Sequence, residues 1–278
     1  MGNPVLSPQQ VSDFNRDGYL IINSFFSAEE IGRLYQTAIN DVMVSKNAIN
    51  VNDSSGKSSK LSLWYKPGDD IYGLLTRSGK MVNASDQLLD GDSAVCHYHS
   101  KLMQKEPKVG GAWEWHQDYG YWYKNEFLFP DQLLSVMVAI TDANKENGCL
   151  QVIRGSHKMG RVEHGFSGEQ VGASQRFVDL ALKTMEHVFV ELKAGDALFF
   201  HSNLLHRSEA NLSDNARWSI ISCYNRQNNT GYNESSSNSA STTPISIVPD
   251  DAMLTWQAGG LKMEEADFLS KEADVSLK

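Results

Sequence analysis

Cysteine is scarce in this chain: only Cys96, Cys149 and Cys223 carry a thiol among 278 residues, far apart and without CxxC spacing. Such a set fits reduced thiols filling strand interiors and argues against a disulfide framework. Positive charge is short as well. Lys and Arg number 25 against 34 Asp and Glu, a net charge of -9, which argues against nucleic acid, whose phosphates call for a basic face. No apolar run approaches the length of a spanning helix, and the opening Met1-Gly-Asn-Pro-Val-Leu6 has neither a basic n-region nor a hydrophobic h-region. A cytoplasmic chain is expected, without membrane or nucleic acid and with no protein partner evident. Internal repeats are lacking too.

What is present suffices for one large core. Hydrophobic residues make up 41% and aromatics 10%, and sandwich or barrel domains of this size often stay undivided. One domain over 1–278 is expected, with a helical flank at about 1–92, a jelly-roll core at 93–225 and a loop or lid plus tail at 226–278.

Ser7-Pro8 reads as a cap followed by a first helical residue, opening a helix that ends near Gly18, where the strand Tyr19-Leu-Ile-Ile22 begins. Ser27-Ala-Glu-Glu30 is a capping box for a helix through about Ser45, with Ile31, Leu34, Tyr35, Ala38 and Val42 on one packing face. Residues 50–60, rich in Asn, Ser, Gly and Lys, read as a mobile loop, and a further helix is expected near Ile71 to Leu89. From Val95 onward short strands alternate with turns: 95–103, the segment around His116, 133–140, 149–153, 188–192 and 197–201. Strands behind an N-terminal helical layer indicate a mainly β fold with flanking α. Residues 226–246 contain the run Ser235-Ser-Ser-Asn-Ser-Ala-Ser-Thr-Thr243 and read as a flexible loop or lid.

The chemistry concentrates in two segments. Trp113-Glu-Trp-His-Gln-Asp118 sets His116 and Asp118 two apart, so on a strand both side chains would leave the same face. Leu204-Leu-His-Arg-Ser208 supplies a second imidazole, His206. Two imidazoles and one carboxylate on one face of an octahedral metal leave three positions open, the arrangement of non-heme Fe(II) enzymes that activate dioxygen. Arg217 follows His206 by eleven residues across the polar turn 210–215, a spacing that suits a hairpin returning the guanidinium beside the metal. There it could grip a carboxylate through paired hydrogen bonds. The guest that fits is 2-oxoglutarate, with one end on the metal and its distal carboxylate on Arg217 and Ser208.

These motifs resemble the phytanoyl-CoA dioxygenase family of Fe(II)/2-oxoglutarate oxygenases. The resemblance rests on His116-Gln-Asp118, Glu146-Asn-Gly-Cys-Leu-Gln-Val-Ile-Arg-Gly-Ser-His157, Gly195-Asp-Ala-Leu-Phe-Phe200 leading to His206, then Ser208 and Arg217, and on the opening 13–30; it spans about 6–225. It implies a double-stranded β-helix, a cupin-like jelly roll with its N-terminal helices packed on one sheet. It implies His116, Asp118 and His206 as metal ligands, and Ser208 and Arg217 on the co-substrate. Lys101 and Met137 sit where family members also line the pocket. Implied too are Fe(II), 2-oxoglutarate and O2 as reaction partners and a small-molecule substrate that the family does not fix. The carboxylate at Asp118 counts against halogen transfer, for which that ligand is replaced by a small residue.

Several residues stay open on sequence alone. The aromatic run around the metal motif offers Tyr119, Tyr121 and Trp122 as a substrate wall for a small polar or cationic molecule, or as plain packing. His97 and His99 alternate on one strand but lack a carboxylate partner and read as core hydrogen-bonders; His201 competes with His206 for the ligand role but lacks its Ser and Arg offsets. His157 reads as ordering a turn, and His164 and His187 carry no signal. Two other functions compete: a jelly-roll metal and 2-oxoglutarate sensor that never turns over, and a zinc hydrolase on the same triad, which leaves Arg217 without a role.

Overall fold

The computed structural model describes residues 5–123, 129–167, 169–231, 242–257 and 266–269. In chain order they form α1 (Pro8–Asp17), β1 (Tyr19–Ile22), α2 (Ala28–Ala38), α3 (Val42–Lys46), β2 (Ile49–Asn52), β3 (Ser58–Trp64), α4 (Ile71–Arg77), α5 (Gly79–Leu88), β4 (Val95–Lys105), β5 (Trp113–His116), α6 (Asp118–Trp122), β6 (Leu133–Ala139), β7 (Leu150–Ile153), β8 (His164–Ser167), β9 (Gln170–Ala173), α7 (Gln175–Thr184), β10 (His187–Val190), β11 (Ala197–His201), β12 (His206–Ser208), β13 (Arg217–Arg226) and α8 (Ala252–Thr255).

Both expected caps form. The Ser7 and Ser27 hydroxyls accept the N–H of Gln10 and Glu30, whose side chains return a bond to the cap backbone. Gly18 closes α1 at φ +81°, donating its N–H to the Phe14 carbonyl. A Cβ there would lie 2.3 Å from His157 Nδ1, so only glycine lets the two segments meet. The helix expected through Ser45 stops at Ala38 instead, because the Asp41 carboxylate accepts from Met43 and Val44 and caps a separate turn. The break rotates Val42 off the packing stripe, and it is 60% exposed. Ser78, with its backbone extended, likewise divides the helix expected near 71–89 into α4 and α5.

Residues 50–60 are not a loop but the β2–β3 hairpin. Its polar residues are turn chemistry: Asp53 Oδ1 accepts from the N–H groups of Ser55 and Lys57, and Gly56 takes φ +84°. Of the expected loop at 226–246, residues 232–241 lie outside the described residues.

The strands build a seven-stranded sheet in the order β1-β11-β6-β13-β4-β3-β2, a four-stranded sheet β10-β7-β12-β5 and a β8-β9 ribbon. Every pairing within them is antiparallel. This is the expected jelly roll with helices on one face. Period two decides what each side chain meets. On β6, Val136 and Val138 pack under the helices with Leu34, Leu75 and Ile220. Met137 and Ala139 face the other sheet, with Leu150, Val152 and Ile221. A strand covered on both faces is apolar along most of its length, and in 133–140 only Ser135, bonded to Asp118, interrupts the run. No helix among the described residues is long and apolar enough to cross a membrane.

Candidate metal centre

The metal motif lies where a strand turns into a helix. β5 ends at His116, Gln117 keeps an extended backbone, and Asp118 is the first residue of α6. The expectation of one continuous strand is therefore corrected: Asp118 reaches the same side as His116 because the chain coils. His206 opens β12 directly opposite His116 in the register. One donor atom from each of the three lies within 4.8 Å of the others. Asp118 Oδ1 is 4.0 Å from His116 Nε2 and 3.8 Å from His206 Nε2.

Surrounding bonds aim these donors. His116 Nδ1 donates to the Glu114 carbonyl at 2.7 Å and His206 Nδ1 to the Leu204 carbonyl at 2.9 Å, which leaves each Nε2 a lone pair for a metal. Burial, together with the neighbouring His206, holds His116 well below the ordinary histidine pKa; burial lowers His206 too. Both imidazoles are therefore neutral, the form that coordinates. Burial alone would raise Asp118, but Lys101 and the Ser135 hydroxyl lower it and keep the carboxylate ionised. Ser135 donates to Asp118 Oδ2, and Lys101 Nζ stands 3.7 Å from Oδ1. The donor set fits a divalent iron: nitrogen and oxygen atoms gathered on one side, with a cavity on the other.

That cavity measures about 490 Å³, within the range of small-molecule sites. Lys101, Met137, Arg217 and Ser208 all line it. The sheet register explains their convergence, since Lys101 pairs with Ile221, and Ile221 with Met137, in a row across β4, β13 and β6. Arg217 lies on the same face of β13, four residues before Ile221. The expected hairpin joining His206 to Arg217 does not form: β12 pairs with β5 and β7, whereas β13 pairs with β4 and β6, so the turn crosses between sheets.

Arg217 is 3% exposed. Its Nη2 contacts Met137 Sδ at 3.4 Å, and its Nε is buried without a partner. Burial pulls its pKa down to about 10, which leaves it cationic at neutral pH. No carboxylate pairs with it among the described residues. A buried cation facing a cavity without a counter-charge is a site built for an anion.

The family model for phytanoyl-CoA dioxygenase (PhyH) matches residues 14–219. The chain belongs to the phytanoyl-CoA dioxygenase family. As a member of that family it is a 2-oxoglutarate-dependent non-heme iron dioxygenase, not a turnover-free sensor. It is 25% identical over 240 residues to the ectoine dioxygenase of Bordetella parapertussis, covering 81% of this chain and 77% of that protein. It is 27% identical over 233 residues to the L-proline trans-4-hydroxylase of Streptomyces griseoviridis, covering 78% and 85%. The fold matches that of EctD from S. alaskensis in its apoform with a TM-score of 0.71 at 20% identity, covering 90% of this chain and 89% of that one.

Other expected residues divide. Trp122 lines the cavity, its ring edge-on to Tyr98 and His99 at 5.2 and 5.6 Å. Tyr121 lines it too, but its hydroxyl donates to the Val171 carbonyl at 2.6 Å and its ring braces His116. Tyr119 is corrected: it is buried in the inter-sheet core, away from the cavity lining, with its N–H on the Ser202 carbonyl. His201 pairs with Asp131 at 2.9 Å, away from the metal ligands, and His97 bonds the Tyr65 carbonyl and Ser100.

Four supporting residues were missed. Ser135 and Lys105 keep the alternation of Met137 and Lys101, a signal that could have found them. The Gln117 side chain spans Gly160, Asn203 and Val162, and the His164 ring accepts the Gln117 N–H at 3.0 Å. Neither carries a short motif, because both act on backbone from distant segments.

Proposed function

We propose that His116, Asp118 and His206 hold Fe(II), that Arg217 and Ser208 hold the distal carboxylate of 2-oxoglutarate with Met137 packed beside it, and that the protein hydroxylates a C–H bond of a free, largely apolar metabolite. The observation that carries this reading is the unpaired, buried Arg217 guanidinium sharing one cavity with a three-donor cluster. When bound, Fe(II) and 2-oxoglutarate supply the oxidising power: one atom of O2 enters the substrate and the other enters succinate as CO2 leaves.

The chain's own residues position and shield. Ser135 and Lys101 fix the Asp118 carboxylate; the Glu114 and Leu204 carbonyls fix the tautomers; Tyr121 and Phe200 wedge the two imidazoles. The substrate half of the cavity is walled by Leu63, Tyr65, Tyr98, Trp122, Phe166 and Leu269. The His99 Nε2 there is buried and unpartnered, one polar contact for a substrate group beside those of Asn50, Glu169 and Gln170. Arg207 at the cavity is already paired with Glu209, so among the described residues no basic cradle supports the phosphates of a CoA ester. We further assign one catalytic domain over 1–278 and a cytoplasmic setting, consistent with three buried free cysteines.

The test is succinate release on admitting oxygen to protein loaded with Fe(II) and 2-oxoglutarate, screened over candidate metabolites and followed by mass spectrometry. A substrate-stimulated rate and a mass gain of one oxygen are expected. Co-substrate bound yet never consumed with any metabolite would contradict the reading.

A further inference from the structure

Behind Ser208 lies a second basic side chain that neither the metal cluster nor the Arg217 contact explains. Lys105 is the last residue of β4, pairs in register with Arg217, and has no solvent exposure. A lysine buried to that degree needs partners for its nitrogen. Its Nζ donates to Ser208 Oγ at 2.8 Å and to the Glu209 carbonyl. The Glu209 carboxylate does not reach back to it, being tied to Arg207 at 2.7 Å. Lys105 and Arg217 are thus two buried basic side chains on neighbouring strands with no carboxylate within ion-pair distance among the described residues, and burial, with Arg217 beside it, pulls the Lys105 pKa well below the ordinary lysine range.

The hydrogen-bond arithmetic of Ser208 gives this pair a purpose. A hydroxyl has one proton and two lone pairs, and the Lys105 nitrogen has enough protons in either protonation state to donate both of its bonds, to Ser208 Oγ and to the Glu209 carbonyl. With Lys105 filling a lone pair, the Ser208 proton must point elsewhere. Ser208 is buried, donates to no acceptor among the described residues, and lines the cavity beside Arg217. We propose that Lys105 is a positioning residue for the co-substrate: it locks Ser208 as a donor, so that hydroxyl and guanidinium together grip the distal carboxylate of 2-oxoglutarate. Lys105 itself lies behind the cavity wall and acts through Ser208. The inference rests on the reading of Arg217 as the carboxylate anchor.

The decisive experiment is anaerobic calorimetric titration of the Fe(II)-loaded protein with 2-oxoglutarate, and separately with oxalate, which copies only the metal-chelating end. Lys105→Met should weaken 2-oxoglutarate about tenfold, the scale of one hydrogen bond to a charged group, while leaving oxalate unchanged. A merely structural role would lower both. Ser208→Ala should give a similar loss, and adding Lys105→Met to it should cost little more, because the two act as one unit. Unchanged 2-oxoglutarate affinity in Lys105→Met, or fully additive losses in the double variant, overturns the proposal. Should Lys105→Met fail to fold, Ser208→Ala alone decides: undiminished 2-oxoglutarate affinity there overturns it too. Arg217→Leu separates the two levels of the argument. Lost affinity in Arg217→Leu beside intact affinity in Lys105→Met sinks only the role of Lys105, whereas intact affinity in Arg217→Leu sinks the anchor reading beneath it.

Discussion

The two ends of the cavity are made of different material. At the metal end, charged and polar groups stand on β4, β6 and β13 at the middle of the large sheet and on β5 and β12 of the small one, and nearly every donor is held by a second bond. At the outer end, the wall comes from the β2–β3 hairpin, the β8–β9 ribbon and Leu269, with Phe166 at 61% exposure. Reaction chemistry sits where the backbone is locked from both sides, and substrate contact sits where side chains can change without disturbing the core. This division also fits relatives that are named for different substrates, ectoine and L-proline.

If the metal end carries the chemistry, the largest effects must lie there. Asp118→Ala and His206→Ala should each weaken Fe(II) binding by more than the roughly 10–100-fold seen for loss of a supporting partner, and 2-oxoglutarate consumption should fall to background. Competition against a chromogenic chelator measures the first and succinate release the second; retained iron in either variant would dissolve the contrast. Next comes the anchor. Arg217→Lys keeps the charge but loses the planar fork, and the KM for 2-oxoglutarate should rise roughly 10–100-fold, the scale of a lost charge-assisted pair. An unchanged KM would mean that the carboxylate binds elsewhere.

A smaller effect is expected where backbone supports the metal motif. A Cβ on Gly120 would lie 2.2 Å from His164 Nε2, the atom that accepts the Gln117 N–H between two ligands. Overpacking of this kind costs about 1–3 kcal/mol. Gly120→Ala should therefore lower the melting temperature by several degrees and weaken iron, whereas a full-strength iron site would show that His164 does not brace the motif. Smallest of all is Phe166→Ala at the outer wall. A half-open ring is worth about 0.5–1 kcal/mol, so the substrate KM should move roughly two- to fivefold and that for 2-oxoglutarate less. Equal shifts in both would erase the distinction between the ends.

The sequence was legible where local rules act alone. Ser7 and Ser27 announced their helices, the mostly apolar run 133–140 announced a strand, and the spacing of His116, Asp118 and His206 pointed to the cluster that the fold brings together. It misled where two local patterns share a composition. The polar stretch 50–60 is hairpin-turn chemistry as readily as loop, and Asp41 caps a new helix inside what reads as one amphipathic stripe. It was silent where a residue matters through a partner distant in sequence: Lys105 reaches across 103 residues to Ser208, and His164 across 47 to the Gln117 backbone. Strand alternation from His116 and Asp118 would turn Tyr121 away from the metal, yet it lines the cavity because Asp118 begins a helix and period two no longer applies.

The central claim is that one buried cation and one three-donor cluster hold the two ends of the same small diacid. Its most direct test is an anaerobic titration of the Fe(II) protein with 2-oxoglutarate, followed by visible absorption. The account predicts a weak metal-to-ligand charge-transfer band that saturates near one equivalent, needs far more 2-oxoglutarate in Arg217→Leu, and is missing in Asp118→Ala. A band with the same affinity in Arg217→Leu, or none in the unmodified protein, would contradict it.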